Sequence, residues 1–352
     1  MVFLMAGGGT GGHVIPGLAV ARELRARGHE PVFVGTARGL ETKLVPAAGF
    51  RLELIEIGSL QGQGRMRQVR TLLELPVSVA RCVGLIGRRR VAGVFSMGGY
   101  AAGPVGVAAV LCRRPLLLME PNAMPGLTNR WMGRFARRAL VSFEEAVPYF
   151  PAGSAELTGL PVRREFFTLP RKARGERLEI LVTGGSRGAR RLNEAIRGLA
   201  PWLGEQPVRV VLQAGAGAEA IAGVTVVPFL DDMPGAFAAA DLVICRAGAG
   251  AVAELAAAGK PAILVPYPFS ADDHQVRNAE AFERKGAARM VRDAECTPER
   301  LRAEIMALRE PGVLEVMAGA AGGLARPGAA ARAADLLEEW GGGMGLRNGP
   351  EY

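Results

Sequence analysis

Hydrophobic residues recur along this chain in two alternating rhythms. An unbroken apolar run, Val2 to Met5, gives way to glycine at five of the six positions Gly7 to Gly12, and His13 follows at once. Apolar residues then return at helical spacing (Ile15, Leu18, Ala21, Leu24) until Gly28, and a second short apolar run covers Pro31 to Val34. Short continuous runs read as buried strands and the spaced residues as a helix, so the segment predicts strand, glycine loop, helix, strand. Pro16 in the first helical turn agrees with a helix start. The rhythm repeats. Gly93 to Leu111 reads as strand, second glycine loop and small-residue helix; Pro115 to Phe143 reads as strand, loop, helix ending in basic residues, and strand. Such alternation predicts a parallel sheet with helices on both faces.

The pattern restarts at Glu179 to Ala200, where a strand, the loop Gly184 to Gly188 and a helix echo the opening segment. Between the two halves, Thr158 to Arg177 is proline-broken and charged, and reads as a linker. Further on, Leu242 to Cys245 is a buried strand, Arg246 to Gly250 a third glycine loop, Ala251 to Ala258 a helix and Pro261 to Pro266 another buried strand. Glu254 is the one charge in that helix. It reads either as a carboxylate favoured by the helix dipole or as a bidentate acceptor for the two hydroxyls of a ribose. The last residues, 341–352, lack periodicity and read as a frayed tail. With 352 residues the chain suits two domains, each with its own core. The expectation is an α/β protein of two Rossmann-like domains whose parallel sheets face a central cleft, with ligands outside the carboxyl ends of the strands.

Composition narrows this picture. Hydrophobic residues make up 49% of the chain and aromatics only 6%, with 48 glycines, which suits an α/β protein rich in Ala, Val and Leu. The longest uncharged stretch, Val91 to Cys112, is broken by Ser96, Gly98, Gly99 and Pro104, so no membrane span is expected, and no signal peptide is evident. Cys82, Cys112, Cys245 and Cys296 are scattered without a C-x-x-C pair and read as reduced thiols, which points to the cytosol. Net charge is +9, a bias toward anionic partners, yet no nucleic-acid signature is present.

The first glycine loop can bring a ligand against bare backbone at a helix N-terminus, which favours an anion. Gly7, Gly9 and Gly12 satisfy the dinucleotide spacing G-x-G-x-x-G. A nicotinamide enzyme needs an acid at the end of the second strand, however, and that strand runs into Gly35 and Thr36 with no carboxylate available. His13 reads either as a helix-start residue or as a base. In the second half, Asp272, Asp273, His274, Gln275 and Asn278 precede an amphipathic helix; their spacing is poor for a metal, and hydrogen-bonding roles are favoured.

Taken together, "GGTGGHVIPGLAVARELRARG", "GLETKLVPAAGF", "MGGYAAGP", "NAMPGLTNR", "TGLPVRREF", "GGSRGARRLN", "FLDDM", "RAGAGAVAELAAAGKP" and "DDHQVRNA" resemble, in order, the MurG family of glycosyltransferases. The resemblance covers the chain to about residue 340 and implies a GT-B fold: an acceptor- and membrane-facing domain (1–162), a UDP-GlcNAc domain (163–325), and a C-terminal helix packed back on the first domain with a flexible tail (326–352). It implies transfer of GlcNAc from UDP-GlcNAc to the 4-hydroxyl of MurNAc in undecaprenyl-diphosphate-MurNAc-pentapeptide, inverting the anomeric centre, in peptidoglycan synthesis. Neither cofactor nor metal is required. The protein would lie peripherally on the cytoplasmic side of the membrane.

Carried onto this sequence, the family's donor-sugar contacts fall on Thr10, Gly11, Gly12, Asn122, Arg163 and Ser186, and its uracil and ribose contacts on Leu230, Ala249, Gly250, Ala251, Val252, Glu254 and Gln275. Arg187 and Gly188 join Ser186 in meeting the diphosphate. Gly99 and Tyr100 fall on the acceptor side. The family usually reads H-E-Q-N where this chain has Met119 to Asn122, and G-L-R-G-K-G where it has Gly58 to Gly64; Arg187 replaces a glutamine and Ala251 a threonine.

An inverting transfer needs a base and stabilisation of the leaving group. His13 is the candidate base, because an imidazole with a pKa near 6.5 accepts a proton at neutral pH, and Glu120 is its rival. The segment Arg65 to Arg90 mixes arginines (Arg65, Arg67, Arg81, Arg88) with apolar residues (Leu72, Leu73, Val79, Val83, Ile86), and reads as either a core-facing helix or a surface for an anionic membrane. Rival readings are a UDP-GlcNAc 2-epimerase, another transferase of the same fold, or a non-catalytic sugar-nucleotide-binding subunit.

Overall fold

In a computed structural model of the chain, the opening apolar run forms β1 (Val2–Ala6) and the spaced residues after it form α1 (Gly11–Ala26). Residues 1–9, 11–58, 65–170, 175–185 and 188–345 are described, and for 65–73 and 343–345 the backbone alone. The first half continues through β2 (Glu30–Gly35), α2 (Glu41–Ala47), β3 (Arg51–Leu54), α3 (Arg65–Arg89), β4 (Val91–Ser96), α4 (Ala102–Leu111), β5 (Leu116–Glu120), α5 (Leu127–Met132), β6 (Arg138–Val141) and β7 (Ala155–Leu157). The second half runs β8 (Leu178–Thr183), α6 (Arg190–Gly204), β9 (Val208–Gln213), β10 (Val224–Val227), α7 (Met233–Ala239), β11 (Leu242–Cys245), α8 (Ala249–Ala258), β12 (Ala262–Leu264), α9 (His274–Arg284), β13 (Ala288–Met290), α10 (Pro298–Leu308) and α11 (Val313–Gly323). A last helix, α12 (Ala329–Gly345), closes the described chain.

These elements form two units, Met1–Pro161 with the chain from Gly328 onward, and Val162–Pro327. The first holds a seven-stranded sheet in the order β3-β2-β1-β4-β5-β6-β7, the second a six-stranded sheet in the order β10-β9-β8-β11-β12-β13. Every pairing within them is parallel. In each sheet the chain winds outward one way from its first strand and then returns to wind the other way. Loops after the first and fourth strands therefore part at one point of the carboxyl edge and leave a crevice there.

Side chains alternate faces along a strand, which sorts the core of the first unit into two layers. Leu4, Val32, Val34, Leu116 and Leu118 pack with Cys82, Leu85 and Ile86 of α3 and Val105 and Ala108 of α4. On the other face lie α1 and α12, with Leu24, Leu337 and Trp340 buried. Polar pairs hold α12 down: Arg27 donates to Asp335 at 2.7 Å and to Glu338 at 2.6 Å, and His29 Nε2 lies 2.7 Å from Glu338. Arg332 donates twice to Glu156, at 2.6 and 3.0 Å. In the second unit, Ile180, Val182, Leu212 and Ile244 pack beneath Leu192 and Ile196 of α6 and Leu301 and Ile305 of α10.

Two expectations change. Within the segment read as a linker, Phe166 is fully buried, its ring 5.1 Å from that of Phe237, because an aromatic in a polar stretch still gains by leaving water. The aperiodic end starts inside α12, where Gly341 is buried and an added Cβ would stand 2.9 Å from Met1 Sδ; residues 346–352 lie outside the described chain. Among the described residues no helix is long and apolar enough to cross a membrane.

Candidate active site

In the first unit the strand order reverses between β1 and β4, so the two glycine loops that follow them come together. Gly99 has φ +80°, and a Cβ there would stand 3.2 Å from the carbonyl oxygen of Gly8 and 3.7 Å from both Cε1 and Nδ1 of His13. The imidazole, in the first turn of α1 beside Gly11 and Gly12, therefore lies against the second loop. Tyr100 packs on the first loop in return, with its Cε1 3.0 Å from the Cβ position of Gly9. The Thr128 hydroxyl donates to the carbonyl of Gly99 at 3.1 Å and ties the second loop to α5.

Glu120 ends β5 and is 1% exposed. Its Oε1 accepts from the backbone N–H of Asn122 at 2.9 Å and from the Asn122 amide at 3.2 Å. Its Oε2 accepts from Gly126 N–H at 3.2 Å and Asn129 Nδ2 at 2.9 Å. Burial pushes the carboxyl up to about 7, and these four donors oppose the shift without cancelling it. Asn129 links this network to the second glycine loop, since a Cβ on Gly98 would stand 3.0 Å from its Nδ2. Glu120 therefore shapes the loop that carries Asn122.

In the second unit the loops after β8, β11 and β12 border a cleft of about 530 Å³, lined among others by Gly184, Gly188, Arg190, Arg246, Tyr267 and Gln275. Gly188 has φ +70°, and a Cβ there would fall 2.0 Å from the carbonyl oxygen of Ala214, so no side chain fits at this position. Arg246 donates to the carbonyls of Val265 at 3.1 Å and Pro266 at 3.2 Å and to Asp293 at 2.6 Å, joining three loop ends. The side-chain oxygen of Gln275 accepts from Tyr267 N–H at 3.0 Å. Asn278, fully buried, donates to Ala247 at 3.1 Å and supports the third glycine loop from below.

Glu254 lies in the second turn of α8, past the first-turn position that a dipole role would favour. Burial pushes its carboxyl up to about 7, and Arg163, at 3.8 Å, opposes that shift. Arg163 and Glu254 are thus together, with Ala249 to Val252 in the helix turn before Glu254; Leu230, part-buried between β10 and α7, and Glu254 do not line the cleft. Among the described residues no cluster could hold a metal. Thr10, Ser186 and Arg187 lie outside the described residues, as do 59–64 and the side chains of Arg65, Arg67, Leu72 and Leu73. In the rest of α3, Ile86 is buried and Val79 and Val83 pack on the core, so this half faces inward, while Arg81 and Arg88 are exposed.

One sequence reading is corrected. A carboxylate does stand at the end of β2: Glu41 reaches back from α2 and accepts from Thr36 N–H at 3.0 Å. Its only sequence signal is an acidic residue opening a helix. Arg246, Tyr267 and Asp293 were also not singled out as site residues. An arginine directly after a fully apolar strand was the available clue for the first.

Two parallel sheets of this order, each with a glycine loop at its switch point, give the chain the GT-B fold of glycosyltransferases. The model of the glycosyltransferase family 28 N-terminal domain matches residues 3–141, and that of the C-terminal domain matches 179–335. The chain is 55% identical, over 96% of its length and 95% of the relative's, to the UDP-N-acetylglucosamine–N-acetylmuramyl-(pentapeptide) pyrophosphoryl-undecaprenol N-acetylglucosamine transferase of Solibacter usitatus. The crystal structure of Acinetobacter baumannii MurG superposes with a TM-score of 0.83 at 34% identity, covering 96% of this chain and 99% of that one. A kitacinnamycin glycosyltransferase, 20% identical with a TM-score of 0.74 and coverage of 96% and 98%, shares the fold. The chain belongs to the MurG family.

The environment of Glu120 makes stability depend on pH. Its raised pKa favours the protonated form in the folded state, so the relative stabilisation is full below about pH 4.3, the ordinary value for Glu, and is lost as pH rises through about 7. The stability difference between wild type and Glu120→Gln should therefore shift against wild type across that window, by at most about 4 kcal/mol. Parallel denaturation curves at every pH would refute it.

Proposed function

We propose that the chain moves GlcNAc from UDP-GlcNAc to the 4-hydroxyl of MurNAc in undecaprenyl-diphosphate-MurNAc-pentapeptide, the lipid I to lipid II step of peptidoglycan synthesis. The observation that carries this reading is 55% identity, over nearly the full length of both chains, to a transferase named for that substrate pair. In the step, the acceptor oxygen bonds to C1 of GlcNAc as the C1–O bond to UDP breaks with inversion, and the hydroxyl proton goes to a base.

His13 is that base. It is part-exposed at the meeting of two glycine loops, whereas Glu120 is sealed in and already accepts four hydrogen bonds. Glu120 acts instead by shaping the loop of Asn122. UDP leaves as an anion, and backbone N–H groups of the loop through Gly188 and the start of α6 are suited to meet it. Glu254 holds the ribose hydroxyls, and Arg163 keeps its carboxylate oriented. Gln275, held to the backbone of Tyr267, serves the nucleoside. The acceptor is anchored in lipid, so the enzyme works at the cytoplasmic face of the membrane, with basic residues of α3 drawn to anionic headgroups.

Incubating labelled UDP-GlcNAc with the lipid-linked MurNAc-peptide tests the reading: labelled disaccharide-lipid is expected, and epimerised or hydrolysed donor as the sole product would overturn it. His13→Ala should lower kcat about 10²–10⁴-fold while UDP affinity stays within a few-fold; unchanged turnover would remove His13 from the mechanism. Glu254→Ala should show the opposite signature, a rise in donor KM at nearly constant kcat, and a normal donor KM would refute the ribose role. On anionic vesicles the protein should bind at low salt and leave at high salt; binding indifferent to salt would count against the basic surface.

A further inference from the structure

The mechanism above leaves one buried carboxylate unused. Glu41 is 0% exposed, and no described residue forms an ion pair with it. Its space exists because three neighbours are glycines: a Cβ on Gly8 would stand 2.4 Å from Oε1, one on Gly35 2.6 Å from Cγ, and one on Gly39 1.9 Å from Oε2. Within this cradle Oε2 accepts from Gly9 N–H at 2.8 Å, and Oε1 accepts from the N–H and hydroxyl of Thr36 at 3.0 and 3.1 Å.

Donor arithmetic gives the arrangement a direction. The Thr36 hydroxyl has one proton and donates it to Glu41 Oε1. The Thr36 oxygen lies 3.2 Å from the phenol of Tyr100, which must then be the donor of that pair. Tyr100 O–H to Thr36 O–H to Glu41 is a chain with one polarity, ending on a buried carboxyl group. It leaves the Tyr100 oxygen to accept on its other side. The same carboxylate satisfies an N–H of the first glycine loop, where Rossmann-type folds receive a ligand's phosphate.

We infer that Glu41 is a positioning residue for the acceptor side of the transfer: it occupies the anion position of the first glycine loop and, through Thr36, sets the hydrogen-bond polarity and placement of Tyr100 on that loop. The inference rests on the proposed transfer, with His13 as its base, and on the resemblance that puts Tyr100 on the acceptor side. It accounts for a glycine-rich loop in this unit while the donor's diphosphate is received in the other.

Glu41→Gln keeps the volume but sets an amide donor against donors. In the transfer assay, with both substrates varied, kcat should fall at least tenfold and acceptor KM rise, while donor KM stays within twofold. Tyr100→Phe removes the far end of the chain of hydrogen bonds, so the Glu41→Gln/Tyr100→Phe pair should be no slower than the slower single variant. A folded Glu41→Gln with wild-type kcat, a donor KM that rises as much as kcat falls, or additive losses in the pair would each overturn the inference. If Glu41→Gln fails to fold, Thr36→Val decides, since it cuts the link to Tyr100 and leaves the bond to Gly9: reduced kcat at constant donor KM supports the assignment, and unchanged kcat overturns it. An inert wild type would instead overturn the reaction on which the inference rests.

Discussion

A parallel sheet wound in both directions from its first strand has one place on its carboxyl edge where neighbouring connections diverge. Both sheets of this chain obey that constraint, at β1/β4 and at β8/β11. Everything chemical in the molecule follows from it. The glycine loops are far apart in sequence, yet the winding sets them side by side, and a bare backbone lets them touch. His13 meets Gly99 for this reason, and in the second unit the bare backbone of Gly188 lies directly on Ala214, just after β9.

The same crevice is finished differently in the two units. In the first, Glu41 and Glu120 are turned inward and their acceptor capacity is spent on backbone and amide N–H groups. In the second, Glu254 remains part-exposed beside Arg163, and an arginine, Arg246, is spent on backbone carbonyls and Asp293. One unit satisfies its loops with buried carboxyl groups, and the other gathers arginines around an open cleft.

Strands and glycine loops were legible in the sequence because fully buried parallel strands leave unbroken apolar runs, as at Val2 to Met5 and Leu242 to Cys245. The nine motifs carried the family. Burial of polar residues was not legible. Glu41 looks like any acid at a helix start, and nothing local shows that Gly8, Gly35 and Gly39 jointly hollow a space for it. Glu120 looked like a possible base, and only the fold reveals four donors converging on it. Phe166 was hidden within charged and proline residues, and its partner Phe237 lies some seventy positions away. In α3 the arginines drew attention to the surface, while Cys82, Leu85 and Ile86 turn to the core. Long-range convergence, rather than local pattern, decided each of these.

The helix α12 belongs to the first unit but follows the whole of the second in the chain. A ribosome delivers residues in order, so the first sheet emerges with the face over Phe3 and Gly93 still bare, and the entire second unit is made before Leu337 arrives to cover it. Early folding of the amino-terminal half is therefore incomplete by construction. The nascent chain carries an unshielded apolar surface throughout that interval, until α12 arrives to seal it.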